Sequence, residues 1–430
     1  MDSSELEVCG ASHGPETKGQ WTAKRLEIRM KVLMVHNRYQ QRGGEDAVVD
    51  AEVRLLATNG VEVQRLDVDN DSILGVCAKI RASANLFMGS SATTDRLSAI
   101  LANSSPDIVH VHNWFPTLSP SVFRQCRKAG IPVVHTLHNY RLLCVNPNLF
   151  RDGRTCEDCI GSTFRVPGVL HKCYRDSYLG SAVATAGMLT QWASGTWHHF
   201  VDRFIALSEF SKMKLIQGGL PEEKIVVKPN FVDPDPGQGP GGGDYFLYVG
   251  RLSEEKGVRT LLQCWKHGPD LPPLRIVGAG PLQNEVAKAV ADQTNVEWLG
   301  SKSSDEVVEL MGRAKATLCP SLCYEGMPRV VIESLAVGTP VVASSIGCYP
   351  EMIADGESGA LFPTGDLRSL LSCIRDLDAR NAFAEMRPKA RRRFEAEYTG
   401  RRNLSIVLKI YGEVILADNR AYSVPVSAGM

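Results

Sequence analysis

Asp233-Pro-Asp-Pro-Gly-Gln-Gly-Pro-Gly-Gly-Gly243 is the stretch on which the architecture turns. Proline and glycine at this density support neither a helix nor a strand, so 233–243 reads as a linker. The same pattern stands on both sides of it: short apolar, β-branched runs alternate with helical periodicity, as in parallel α/β proteins. Before the linker, Lys31–His36, Val61–Leu66, Ile108–Val111, Val133–Leu137, Phe204–Leu207 and Ile225–Val227 read as strands. Helices are expected from about Glu45 to Ala57 and from about Ser119 to Lys128. Behind it, Tyr245–Val249, Leu274–Val277, Val296–Leu299, Ala316–Cys319 and Val341–Ala343 start the pattern again. Two α/β domains facing a central cleft follow, with ligands expected beyond the carboxyl ends of the strands.

The 430 residues are too many for one ordinary core. With 43% hydrophobic and 22% charged residues the composition is that of a soluble globular protein. A formal net charge of zero gives no sign of a nucleic-acid footprint or a strongly cationic membrane face. Residues 1–29 are polar and lack the apolar core of a signal peptide, so they read as a disordered extension or as sequence upstream of a start at Met30. Twelve cysteines without a secretion signal point to reduced thiols and a cytoplasmic protein. Ser177–Val201 contains no Asp, Glu, Lys or Arg. It reads as a buried or half-buried core helix; the alternative is a helix on the inner membrane surface anchored by Trp192 and Trp197.

Three stretches behind the linker carry chemistry. Gly250-Arg-Leu-Ser-Glu-Glu-Lys-Gly257 sets Arg251 and Lys256 five residues apart at a strand end, where a diphosphate would find compensation. Gly278-Ala279-Gly280-Pro281 permits close backbone approach, although tight turns use the same residues. Glu325-Gly326-Met327-Pro328-Arg329-Val330-Val331-Ile332-Glu333 places two carboxylates around a helix start. Pro328 suits the first turn and Gly338 the stop, leaving Glu325 in the loop and Glu333 in the second turn. Unpaired N–H groups and the positive dipole end make such a start an anion site.

These motifs, closed by Gly338-Thr-Pro-Val-Val342, occur in an order in which the chain resembles the retaining glycosyltransferases of family 4 from about residue 30 to 417. The resemblance implies the GT-B fold: a Rossmann-like acceptor-side domain over 30–232, the linker, a nucleotide-sugar-binding domain over 244–400, a crossover helix over 401–417 and a tail over 418–430. It implies that Arg251 and Lys256 bind the donor diphosphate and that Glu325 meets the donor sugar. Backbone N–H groups around Gly326, Met327 and Pro328 would hold that sugar, and those near Arg329 and Val330 the phosphate. Glu333 would bind the ribose hydroxyls, and Glu297–Leu299, centred on Trp298, the base. In the first domain Gly43 and Gly44 match the glycine loop facing donor and acceptor, and His138 matches a histidine aimed at the sugar. His112 falls on the acceptor side. A zinc site built from His110, His112, His135 and His138 lacks supporting ligand spacing.

Transfer from a nucleoside diphosphate develops positive charge on the sugar and negative charge on the phosphate. Arg251, Lys256 and the helix start can stabilise the latter without a required metal or cofactor. The resemblance implies a hexosyl-type transferase acting with retention on a glycan or lipid-linked acceptor, in surface polysaccharide biosynthesis. A sugar-nucleotide epimerase of the same architecture is the alternative, and a non-catalytic nucleotide binder a third class. Cys144, Cys156, Cys159 and Cys173 share an insert over 142–175. They admit a structural zinc, free or redox-variable thiols, or disulfides.

Overall fold

Apolar β-branched runs without alternation need cover on both faces, and a parallel sheet between helices supplies it. The computed structural model describes residues 30–38, 43–69, 87 and 91–423. The extension over 1–29 and residues 424–430 of the tail lie outside the described residues. The first sheet is formed by β1 (Lys31–Arg38), β2 (Glu62–Asp69), β3 (Ile108–Asn113), β4 (Val133–Leu137), β7 (Arg203–Ala206) and β8 (Ile225–Val227), in the order β2-β1-β3-β4-β7-β8. A two-stranded antiparallel pair, β5 (Phe150–Arg151) and β6 (Arg154–Thr155), sits in the cysteine insert. The second sheet comprises β9 (Phe246–Val249), β10 (Leu274–Val277), β11 (Val296–Trp298), β12 (Thr317–Cys319), β13 (Val341–Ser344) and β14 (Gly359–Phe362). Its order is β11-β10-β9-β12-β13-β14, and every pairing in both sheets is parallel.

The expected strands are all present with ends moved by a few residues, while β2 runs three residues beyond the expected Leu66. Nothing in the sequence reading placed β14 or the helices Leu367–Ala379 and Ala382–Glu397. The second of these helices clamps the linker. Arg391 pairs with Asp235 at 2.6 Å, and Arg387 donates to the carbonyls of Gly239 at 3.2 Å and Gly312 at 2.8 Å. Beyond Asp235, then, the linker is fastened to the second domain.

The last helix, Gly400–Ser423, starts after the second domain and returns to the first. Its Val407, Ile410, Tyr411 and Val414 pack with Val32 and Met34 of β1, Val134 of β4 and Ile205 of β7, so the end of the chain covers one face of the first sheet. The domains also meet directly. The Glu351 carboxylate accepts from the backbone N–H groups of Glu209 at 2.8 Å and Phe210 at 2.5 Å, opening the helix Glu209–Gln217 of the other domain. A carboxylate there satisfies two otherwise orphaned donors and matches the helix dipole.

Candidate active site

The second-domain wall is built on the loop after β9. Gly257 closes it at φ +72°, and a side chain at that position would run into the Pro320 carbonyl. This packs the loop against the segment leading to the helix Arg329–Ala336. The Lys256 ammonium there lies 2.6 Å from Glu325 Oε1, which also accepts from Ser321 Oγ at 2.9 Å. Burial works against the Lys256 charge, but the neighbouring Glu325 carboxylate outweighs it and lifts the ammonium above the ordinary lysine range. Lys256 is therefore charged at any physiological pH. Arg251 is exposed, and no carboxylate among the described residues pairs with it. At the far end of this sheet the Trp298 indole donates to the Gly278 carbonyl at 2.9 Å, fastening the end of β11 to the glycine turn.

Pro328 is the residue before the helix, at φ −70° and ψ 122°, rather than in its first turn as expected. An extended Pro328 turns the chain so that Arg329 and Val330 become the first helical residues. Glu333 sits one turn further on, where it pairs with Arg329 at 2.8 Å, and Gly338 takes the left-handed stop at φ +70°. The carboxylate expected to meet ribose hydroxyls thus already has a partner in Arg329.

Across the cleft, Gly43 and Gly44 open the first helix, Gly44–Thr58, and Gly44 looks onto Arg329: a Cβ there would lie 4.0 Å from Arg329 Cδ. The glycine loop and the start of the helix Arg329–Ala336 thus share one space. Gly326 approaches the first domain closely enough that a Cβ would lie 2.8 Å from the His138 carbonyl oxygen. Asn230 Nδ2 donates to the Met327 carbonyl at 2.9 Å, and the hydroxyls of Ser208 and Ser211 reach the Gly326 carbonyl at 3.3 and 3.4 Å. The segment Gly326–Met327 is therefore held from both sides.

His138 Nε2 and His112 Nδ1 are 3.0 Å apart at the ends of β4 and β3. One ring must donate and the other accept. Burial drives both well below the usual histidine range, and neighbouring imidazoles and the Lys228 ammonium add to it. His110, in the middle of β3, is not in the cleft. It contacts the Tyr411 hydroxyl at 2.7 Å through Nδ1 and Thr136 Oγ1 at 2.7 Å through Nε2. Beneath it Lys228 and Glu52 form a buried pair at 3.0 Å. Glu52, His110 and His112 bring potential metal ligands within 4.8 Å of one another. Both His110 nitrogens are engaged, however, and the Lys228 cation sits beside the carboxylate, so this set fits an ion-pair network better than a cation site. His135 turns away from both cleft histidines; its Nδ1 contacts the Val111 carbonyl at 2.9 Å.

The four insert cysteines are free thiols. Burial pushes the Cys144 thiol up to about 12 and raises Cys159 and Cys173 as well. Among the described residues, no three of these sulfurs lie within 4.8 Å of one another. Trp197 is fully buried and Trp192 donates its indole N–H to the Leu142 carbonyl at 2.9 Å, so neither serves as a surface anchor. The helix Tyr178–Ala193 is half-buried, in line with the core-helix reading.

Sequence reasoning missed a second buried pair. His36 Nε2 lies 2.8 Å from Asp46 Oδ1, while Asp46 Oδ2 accepts from the Gly43 N–H at 2.9 Å. That carboxylate fixes the glycine loop to the end of β1. The strand-end position of His36 and an acidic residue in the first helical turn were the available signals. Glu351 and Asn230 left no local signal, because their partners lie in the other domain.

Two parallel-sheet α/β domains that meet across a cleft have the GT-B architecture. The sucrose-phosphate synthase of Thermosynechococcus elongatus has this fold, with a TM-score of 0.69, 19% identity, and coverage of 90% of this chain and 100% of that one. The crystal structure of Anabaena Alr3699/HepE in complex with UDP matches with a TM-score of 0.63 and 17% identity, covering 89% of this chain and 100% of that one. In sequence, the family described as "Glycosyl transferases group 1" matches residues 233–393, and "Glycosyltransferase Family 4" matches residues 43–236. The amylovoran biosynthesis glycosyltransferase AmsK of Erwinia amylovora is 30% identical over 186 residues, 40% of this chain and 46% of that protein. The uncharacterized glycosyltransferase MJ1178 of Methanocaldococcus jannaschii is 26% identical over 216 residues, 50% of this chain and 60% of that protein. The chain spans about half the length of the curated relatives it matches. It belongs to the GT-B glycosyltransferase superfamily.

Proposed function

We propose that this protein transfers a hexosyl group from a nucleoside-diphosphate sugar to a glycan or lipid-linked acceptor, with retention, as a family 4 enzyme of surface polysaccharide biosynthesis. The observation that carries the reading is the Lys256–Glu325 pair, 2.6 Å apart, at the mouth of the helix Arg329–Ala336. A bound diphosphate would take the Lys256 ammonium, the Arg251 guanidinium and the free N–H groups of the helix start. Glu325 would then turn its acceptor oxygens to the sugar hydroxyls, and Glu333 would exchange Arg329 for the ribose. As the anomeric bond breaks, negative charge grows on the leaving phosphate, where these cations already stand.

The first domain supplies the other side. His138 would face the sugar as a neutral imidazole, its ring held by His112. The acceptor hydroxyl would attack from the face the diphosphate leaves, passing its proton to the departing phosphate oxygen. No described carboxylate needs to act as a nucleophile in this scheme. The glycosyltransferase names of AmsK and MJ1178 weigh against the epimerase alternative. No described helix is long and apolar enough to cross a membrane.

Titration calorimetry across uridine, guanosine and adenosine diphosphate sugars tests the reading. Uridine diphosphate donors come first, given the UDP in the HepE crystal structure. Binding of one donor class, lost on adding the matching nucleoside diphosphate, is expected; no binding by any donor would overturn the proposal. The anomeric coupling constant of the product tests retention.

A further inference from the structure

Large apolar side chains rarely stand out in water together, and here they do so in one place. Phe164 is 70% exposed, Val166 49%, Leu170 62%, Tyr178 59% and Leu179 76%. Among the described residues, the other large hydrophobics this exposed are Met213 and Leu416, which lie elsewhere in the chain. Five within a span of sixteen residues are a patch, whereas single exposed leucines would need no account.

The two helices that carry four of these residues pack against each other. Val166 and Leu170 are one turn apart on the short helix Val166–Leu170, so they share a face. Tyr178 and Leu179 occupy the first turn of the helix Tyr178–Ala193. The connection between the two helices is tied to the second by the Tyr174 N–H, which donates to Ser181 Oγ at 2.9 Å. Lys172, in the same connection, sets its ammonium 4.7 Å from the centre of the Tyr178 ring.

The charges around the patch are chiefly cationic. Lys172, Arg175 and His171 lie in the connection between the two helices, against a single acidic residue, Asp176. Arg175 reaches over the Tyr174 ring at 5.4 Å. Protruding Leu and Phe, an aromatic rim and long cationic side chains are what a surface meeting anionic lipid headgroups requires. A protein partner would need no such excess of cations around an apolar centre.

The same helix reaches the loops that follow the first-domain strands β3 and β4. Further along it, Ala184 and Met188 line a cavity closed by Trp114, Phe115 and Arg141. Trp114 and Phe115 follow the end of β3, and Arg141 follows His138 at the end of β4. The Arg141 guanidinium lies 4.0 Å from the centre of the Phe115 ring.

We infer that the face carrying Phe164, Val166, Leu170, Tyr178 and Leu179 seats this protein on an anionic membrane surface. Resting on the transferase reading above, this places a lipid-linked acceptor beside the strand ends that hold His112 and His138. The apolar residues enter the headgroup boundary while Lys172 and Arg175 meet lipid phosphates. Net charge contributes little, because the cations are local.

Sedimentation of the full chain with vesicles tests this, using phosphatidylcholine alone and phosphatidylcholine mixed with phosphatidylglycerol. The mixed vesicles should bind the protein at least about tenfold more tightly, and the double substitution Leu170→Glu with Leu179→Glu should weaken that binding about tenfold or more. Both positions are exposed, so the melting temperature and donor affinity of the variant should stay at the wild-type values. Equal binding by wild type and variant, or no vesicle binding by the wild type, overturns the inference. So does a wild-type dimer that the substitutions make monomeric without any vesicle binding, since a second copy would then cover the face. Vesicle binding by a wild type that binds no nucleotide sugar would sink the transferase reading and leave the membrane face standing.

Discussion

The two walls of the cleft solve opposite electrostatic problems. The first-domain wall presents His112 and His138, hydrogen-bonded to each other and kept neutral by burial, with the buried His36–Asp46 pair behind the glycine loop. The second-domain wall keeps its charges and balances them, Lys256 against Glu325 and Arg329 against Glu333. Neutral imidazoles can sit close to a sugar that gains positive charge without repelling it. A wall of paired charges can receive an anion by exchanging one partner for another, so reorganisation is confined to side-chain rotations. On the proposed transfer, the contrast would separate residues that shape the acceptor side from residues that stabilise the leaving group.

The largest effect should come from breaking the charged wall. Lys256→Ala and Glu325→Ala should each lower transfer by about two decades or more, measured as kcat/KM. The double variant should lose much less than the product of the two, because the residues act as a unit. Near-normal turnover in either single variant would remove the assignment. On the neutral wall, His138→Ala should lower kcat by roughly tenfold to a hundredfold while leaving donor affinity in place. A fall in affinity without a fall in kcat would move His138 from the reacting centre to the binding surface. Glu333→Ala should weaken donor binding about tenfold by calorimetry, as loss of a charged hydrogen-bonding partner does. Unchanged affinity would count against a ribose role.

Smaller effects should separate the walls by pH. Burial lowers His135 to about 4 and holds His110, His112 and His138 well below their ordinary range. The unfolded chain, with ordinary histidines near about 6.5, then binds more protons than the folded one as pH falls below that value. Stability from these neutral imidazoles is complete above about 6.5 and declines from there toward about 4, so the melting temperature should fall between about pH 7 and about pH 5. A flat profile over that interval would mean that the histidines are not kept neutral. Tyr411→Phe should cost about 1–3 kcal/mol by chemical denaturation, since it strands a buried His110 nitrogen.

Much of this arrangement was legible in the sequence, because strand runs, turn glycines and the linker are local patterns. Lys31–His36 and Leu274–Val277 announced strands by β-branched composition, and Gly338 announced a helix stop through its need for positive φ. The site was legible as a set of members and less so as a set of contacts. Lys256 and Glu325 stood out separately, but 69 positions separate them and no spacing rule predicts their direct pairing. Arg387 and Arg391, which fasten the linker, carry no local mark that sets them apart from ordinary surface charges. Trp192 and Trp197 could stand for anchors because an uncharged segment does not reveal which of its faces is covered; Leu142 and the first-domain core cover them.

The return of the helix Gly400–Ser423 to the first sheet has a consequence for how the molecule is made. During synthesis the second domain can complete its own sheet as soon as β14 and the following helices have emerged. The first sheet must wait, with Val32, Met34, Val134 and Ile205 covered on one face only in part by Val49 and Leu56 of the helix Gly44–Thr58, until Val407, Ile410, Tyr411 and Val414 arrive. The domain made first would then be finished last, reversing the usual order of vectorial folding. A chain ended after residue 399 and released from the ribosome should show a protease-sensitive first domain beside a resistant second one; equal resistance of the two would refute this order.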